Sequence, residues 1–144
     1  MMSEIFKPVA LLALWTMIMW LWMYATRIPA MQKVKDLDMP NMVGGTGRTL
    51  DDVLPQKVQW VAHNYNHLHE QPTVFYAVAI LLGVMGAGDG LNAQLAWAYV
   101  ALRIAHSLFQ ALVNRVVIRF TLFLLASLCL IALVVHAAAI AFAH

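Results

Sequence analysis

Apolar and polar positions along the chain alternate in long blocks. The first apolar run, residues 8–27, holds 20 residues. At about 1.5 Å per residue it reaches about 30 Å, the thickness of a hydrocarbon core. The pattern predicts four helices, at about 8–28, 55–86, 91–113 and 116–142, with a polar connection over about 29–54. Pro8 suits a first helical turn. Trp20, Trp22 and Tyr24 gather toward the far end of the first helix, as an interfacial aromatic belt would. The second helix is longer than a bilayer needs, so its first turns project into water. Pro72 lies inside it, removes a backbone donor and clashes with the carbonyl of Leu68, which predicts a kink. GAGDG at 86–90 makes a tight turn, and a break at 114–116 leads into the last helix.

Composition strengthens the membrane reading. Of 144 residues, 62% are hydrophobic and 11% charged, with a mean hydropathy of +0.73. A soluble domain carries about twice that share of charge. The expected architecture is one all-α integral membrane domain over 1–144, a four-transmembrane-helix bundle. The apolar run is longer than the ~7–15 residues of a signal peptide, and only Lys7, balanced by Glu4, precedes it, so a retained helix is expected. Cys129 is the single cysteine, which excludes an internal disulfide and a thiolate metal cluster. A net charge of +2, confined to loops, does not suggest nucleic acid. GGTG at 44–47 lacks the Lys-Ser/Thr ending and the preceding strand of a phosphate loop and reads as a flexible turn.

Charge gives an orientation. Arg27, Lys33, Lys35, Arg48 and Lys57 flank the first connection, and Arg115 and Arg119 the third. The opposite side has only Lys7. The positive-inside rule puts both basic connections in the cytoplasm and both termini outside, in an inner, cytoplasmic membrane.

The chemistry concentrates at 63–72, HNYNHLHEQP, where the polar cluster runs straight into an apolar helix. Glu70 and Arg103 are the charged residues well inside the predicted spans, and such groups face a partner, the bundle interior or water. Glu70 lies about 24 Å along the axis from the turn at Gly86, and Arg103 and His106 about 18 and 22 Å from the turn at Leu91. Glu70 is therefore expected to meet Arg103 or His106, within one chain or across a subunit boundary. His63, His67 and Glu70 share one helical face by spacing; so do Tyr99, Arg103, His106, Gln110 and Asn114. Two polar faces at one depth predict a site open to the cytoplasm. The alternative is a buried Glu70–Arg103 pair that only sets helix register. His63, His67 and Glu70 could also bind a metal, but the HExxH order is absent and no further ligand is evident. His69 points off this face, and His136 stands alone on the last helix as a packing residue.

Two stretches resemble a known family. HLHEQPTVFYAVAILLG resembles the second-helix pattern Asn-x-x-Glu-x-Pro of the MAPEG family, the membrane-associated proteins in eicosanoid and glutathione metabolism. WAYVALRIAHSLFQ resembles its third-helix pattern Arg-x-x-His or Arg-x-x-Tyr. Together with the topology they resemble a MAPEG member of the bacterial type over nearly the whole chain. The resemblance implies a homotrimer, with glutathione held between subunits on the cytosolic side, and glutathione transfer, peroxide reduction or isomerisation of lipid-derived substrates. It implies that Glu70 holds the glutathione amine, that Arg103 pairs with it or braces the site, that His106 takes the place of a Tyr or His, and that Arg27 meets a carboxylate. Arg115 and Arg119 are the candidates for the thiol-activating arginine. The chain departs from the family at His63, where arginine is usual, at His67, where asparagine is usual, and at Gln110, where tyrosine is frequent. Asn66 neighbours His67 but faces about 100° away on an ideal helix.

The function this implies is a glutathione-dependent transferase or peroxidase acting on lipophilic electrophiles dissolved in membrane lipid. Its expected cofactor-binding set is Arg27, His63, Asn66, His67, Glu70, Tyr99, Arg103, His106 and Gln110. A non-catalytic member of the same fold that binds a lipid or a protein partner is the alternative. A histidine-cluster metal-binding or transport protein is the third reading.

Overall fold

The computed structural model describes residues 1–34 and 39–144. Lys35 of the basic connection lies outside them. All regular structure among the described residues is helical. In chain order the helices are α1 Phe6–Gln32, α2 Gln56–His67, α3 Pro72–Val84, α4 Leu91–Leu112 and α5 Val116–Phe142, with short 3-10 turns at Met39–Asn41 and Gly47–Leu50.

α1 and α5 are each long and apolar enough to cross a membrane, and only 22% of the apolar window of each is buried. A core helix of a water-soluble domain would hide an apolar stripe from solvent. Here Leu11, Leu14, Ile18 and Leu21 of α1 face outward, as do Leu124, Leu128, Ile131 and Val135 of α5. The inner faces meet in one core. Leu12 and Met19 of α1, Phe75 and Leu82 of α3, Tyr99 and Val100 of α4, and Leu133 of α5 are buried together. Phe75 stacks on Tyr99 with ring centroids 4.5 Å apart. α5 packs most extensively on α4, and α1 lies against α2, α3 and α4.

Two helix limits differ from the pattern-based expectation. α1 does not end before Pro29; it continues to Gln32. Proline removes its own donor and crowds the carbonyl four residues earlier, yet the Ala-Met-Gln that follows has high helix propensity and carries the helix one turn further. The expected helix over 55–86 is not kinked but broken. Residues 68–71 leave the helix, and the ladder is replaced by tighter bonds: His69 N–H to Asn66 O at 3.0 Å, Glu70 N–H to His67 O at 3.2 Å and Thr73 N–H to Glu70 O at 3.3 Å. Pro72 then starts α3 in its first turn, where its missing N–H is no loss. The Thr73 hydroxyl donates to the Glu70 carbonyl at 2.7 Å and steadies the new start.

At the other end of the bundle the N-terminus is locked to the α3–α4 turn. Ile5 N–H donates to Gly88 O at 3.0 Å, and Glu4 N–H to Asp89 Oδ1 at 2.8 Å. The approach needs a glycine. A Cβ on Gly88 would lie 2.5 Å from Ile5 Cγ2 and 3.0 Å from the Gly83 backbone, and would meet Ser3 Oγ. Ile5 is fully buried and has no room to yield. Gly88→Ala is therefore expected to destabilise the protein by about 1–3 kcal/mol, the range for overpacking. Thermal unfolding in detergent checks this, and an unchanged midpoint would show that the N-terminal lock carries no stability.

Candidate functional site

The break at 68–71 builds the site. His67 is the last residue of α2, and Glu70 hangs in the turn beyond it. His67 Nδ1 lies 2.8 Å from Glu70 Oε2. An ionised carboxylate only accepts, so the imidazole proton sits on Nδ1 and leaves Nε2 as the acceptor. The Glu70 side chain is 66% exposed, and its second oxygen has no hydrogen-bond partner among the described residues. The His67 ring lies 5.2 Å from the ring of His106 and stacks on Phe123 at 5.8 Å.

A polar cavity of about 290 Å³ opens beside this pair. α1 contributes Arg27; the 3-10 turn contributes Gly47 and Arg48, with Asp51 just after it; α2 contributes His63, Asn66 and His67; Glu70 and Gln110 complete the wall. Arg27 Nη2 donates to the Gly47 carbonyl at 2.9 Å and pins the connection across the mouth of the bundle. The Gln59 amide ties the same connection to α2 through the carbonyls of Asp51 and Leu54. His63 Nε2 faces Asp51 Oδ2 at 3.3 Å. The cavity thus offers two guanidinium groups, two carboxylates and two imidazoles on a wall made by four separate segments.

A second, apolar groove of about 180 Å³ lies on the other side of His67. Phe120, Phe123, Val116, Arg119 and His106 line it together with His67. His67 is the one residue common to the polar cavity and this groove. Arg119 is fixed by donating from Nη1 to Asn114 Oδ1 at 2.7 Å. Asn114 adopts a left-handed backbone with φ 53°, which asparagine tolerates, and so lies in the α4–α5 turn rather than on the helical face expected for it.

The structure gathers Arg27, His63, Asn66, His67, Glu70 and Gln110 around one cavity. Asn66 reaches it despite its angular offset from His67, because the cavity wraps the end of α2. Tyr99, Arg103 and His106 do not line it. They are buried at 0%, 0% and 1% exposure along the inner face of α4. The expected contact of Glu70 with Arg103 or His106 is not made within the chain: the break turns Glu70 toward His67 and toward solvent, while Arg103 faces the interior. Nε, Nη1 and Nη2 of Arg103 have no partner among the described residues. Arg115 is exposed and lines neither cavity; Arg119 lines the groove.

Three contributions were not foreseen. Arg48 and Asp51 join the cavity from the connection, and nothing in their spacing from α2 marks that contact. Gln71 bridges Tyr99, whose hydroxyl donates to it at 3.2 Å, and Ser127, which accepts at 2.7 Å. Its position beside Pro72 was the available signal. Two further histidines are engaged elsewhere. His136 Nδ1 lies 2.6 Å from Asn92 Oδ1, and His69 packs edge-on against Tyr65 at 4.7 Å. No group of three His, Cys, Asp or Glu side chains close enough to hold a metal occurs among the described residues; the acid–imidazole contacts are pairs.

The chemistry of this wall suits a small zwitterion with more than one carboxylate, beside a groove for an apolar partner. No curated protein and no solved structure matches the chain. Residues 5–139 match the model of the MAPEG family, nearly the whole length of the chain, and the protein belongs to that family.

Proposed function

We propose that the protein is a glutathione-dependent transferase or peroxidase of the membrane, acting on lipophilic electrophiles. The observation that carries this reading is the polar cavity, whose charges complement glutathione. Arg27 and Arg48 stand where its two carboxylates can be held, and the free oxygen of Glu70 is available to its ammonium group. Charge-assisted pairs of this kind are about twice as strong as neutral hydrogen bonds. The apolar groove beside His67 receives the electrophile from the lipid, and Phe120 and Phe123 hold it loosely enough for broad specificity. Of the two expected thiol-activating arginines, Arg119 has the better position, since its guanidinium lines the groove where the sulfur must emerge. A cation there favours the thiolate over the thiol.

The bundle crosses the membrane four times in this reading, with α2 and α3 forming one broken span. The polar cavity faces the cytoplasm, the protein sits in the inner membrane, and three copies assemble. The exposed apolar sides of α1 and α5 supply the surfaces for lipid and for neighbouring subunits.

The test is a conjugation assay with the detergent-purified protein, glutathione and an apolar model electrophile. A rate that saturates with glutathione and exceeds the uncatalysed rate is expected. The uncatalysed rate alone, from a protein that still binds glutathione, would mean a non-catalytic member that carries a ligand.

A further inference from the structure

The geometry points to His67, oriented by Glu70, as the base that takes the thiol proton. This rests on the reading of the polar cavity as a glutathione site. Three observations converge on it. His67 is the shared wall of the polar cavity and the apolar groove, so a thiol carried by a ligand in the first and directed at an electrophile in the second passes its ring. Its Nδ1 is engaged by Glu70 Oε2 at 2.8 Å, which leaves Nε2 with a free lone pair. The ring is held between His106 and Phe123 and is only 24% exposed, so it stays in one orientation. A carboxylate that fixes an imidazole tautomer, with the imidazole facing a nucleophile, is the arrangement that general-base catalysis requires.

In the step, the S–H bond breaks and its proton moves to His67 Nε2. The products are a thiolate and an imidazolium, whose Nδ1–H remains donated to Glu70. The thiolate then forms the C–S bond with the electrophile. The displaced electron pair leaves with the departing group, or rests on the adduct, and takes the proton back from Nε2. The charged and titratable groups around the ring are Glu70, Arg103 and His106 of α4, and Arg119 of α5. Glu70 serves both roles because it has two oxygens, one for the imidazole and one for the ligand's ammonium. An imidazole at this position can carry the proton, as an amide could not.

The test follows the bound thiol rather than turnover alone. Glutathione is titrated by calorimetry into wild type and His67→Asn at neutral pH in buffers of different ionisation heat. Thiolate is followed by its ultraviolet absorbance over pH. In wild type, thiolate is expected to form with no net proton release to buffer, because the proton stays on His67. In His67→Asn saturated with glutathione, the thiolate titration is expected to move up toward that of the free thiol near pH ~8.5. The conjugation rate at neutral pH should then fall by about 100-fold or more, the usual size of a general-base effect. Thiolate formation in wild type that releases a proton to buffer would overturn the proposal, and needs no variant. An unchanged thiolate titration in His67→Asn would overturn it as well, while leaving the glutathione site standing. Absence of glutathione binding in folded wild type would remove the site itself and the proposal with it.

Discussion

Replacing Glu70 by Gln is expected to weaken glutathione binding by about 10- to 100-fold without disturbing the fold. The carboxylate stands 66% exposed in the break between α2 and α3, so its charge adds little to the stability of the bundle. An exposed pair contributes only about 0–1 kcal/mol. Binding is different. A hydrogen bond to a charged partner is worth about 1.5–3 kcal/mol, which is where the expected factor arises. The amide keeps the shape of the carboxylate, and its oxygen still accepts from His67 Nδ1, so the substitution isolates the charge offered to the ligand's ammonium. The shift in melting temperature as glutathione is added, compared between wild type and Glu70→Gln, reads the difference. Equal protection of both proteins would place the ammonium elsewhere in the cavity.

Arg103 gives the second large effect, and it concerns stability. Arg103→Ala is expected to destabilise the protein by about 2–5 kcal/mol, because it opens a void in a fully buried site. Arg103→Met should leave stability unchanged or raise it by about 1–4 kcal/mol. The guanidinium is 0% exposed, and none of its three nitrogens has a partner among the described residues. A buried ion held this way contributes less than an apolar side chain of similar volume. Three further buried atoms lack a hydrogen-bond partner among the described residues, His106 Nδ1 and Gln110 Oε1 on α4 and Asn64 Nδ2 on α2, and they give the α2–α4 contact a polar seam. One bond in that seam is made, from Ser107 Oγ to Asn64 Oδ1 at 2.8 Å. Chemical denaturation of the two variants in detergent separates volume from charge. Equal losses in both would show that the guanidinium holds a charged partner in the assembled protein.

What the sequence made legible divides along physical lines. Apolar blocks long enough to cross a bilayer read directly as helices, because length and hydropathy are local properties; α1 and α5 follow from them. The polar face of α4 was legible for the same reason, since Tyr99, Arg103, His106 and Gln110 repeat with the helical period. Its burial was not, because which neighbour covers a face depends on packing. Pro72 announced a disturbance but not its size. The break puts Glu70 in a turn, with its carboxylate 2.8 Å from His67 Nδ1 and without a hydrogen bond to Arg103. Arg48 and Asp51 were invisible as site residues because they come from the connection, whose fold over α2 depends on Arg27 holding Gly47 from a distant helix.

The family accounts for the fold and for the expectation of a thiol cofactor. His63 faces Asp51, and His67 faces Glu70. Each pair places an imidazole beside a carboxylate on the wall of one cavity.

The measurement that tests the central claim most directly is calorimetric titration of glutathione into the detergent-purified wild-type protein, alongside an analogue lacking the free amine. The account predicts saturable binding of glutathione and much weaker binding of the analogue, because Glu70 would have nothing to hold. No saturable heat from a well-folded protein, or equal binding of both compounds, would contradict it.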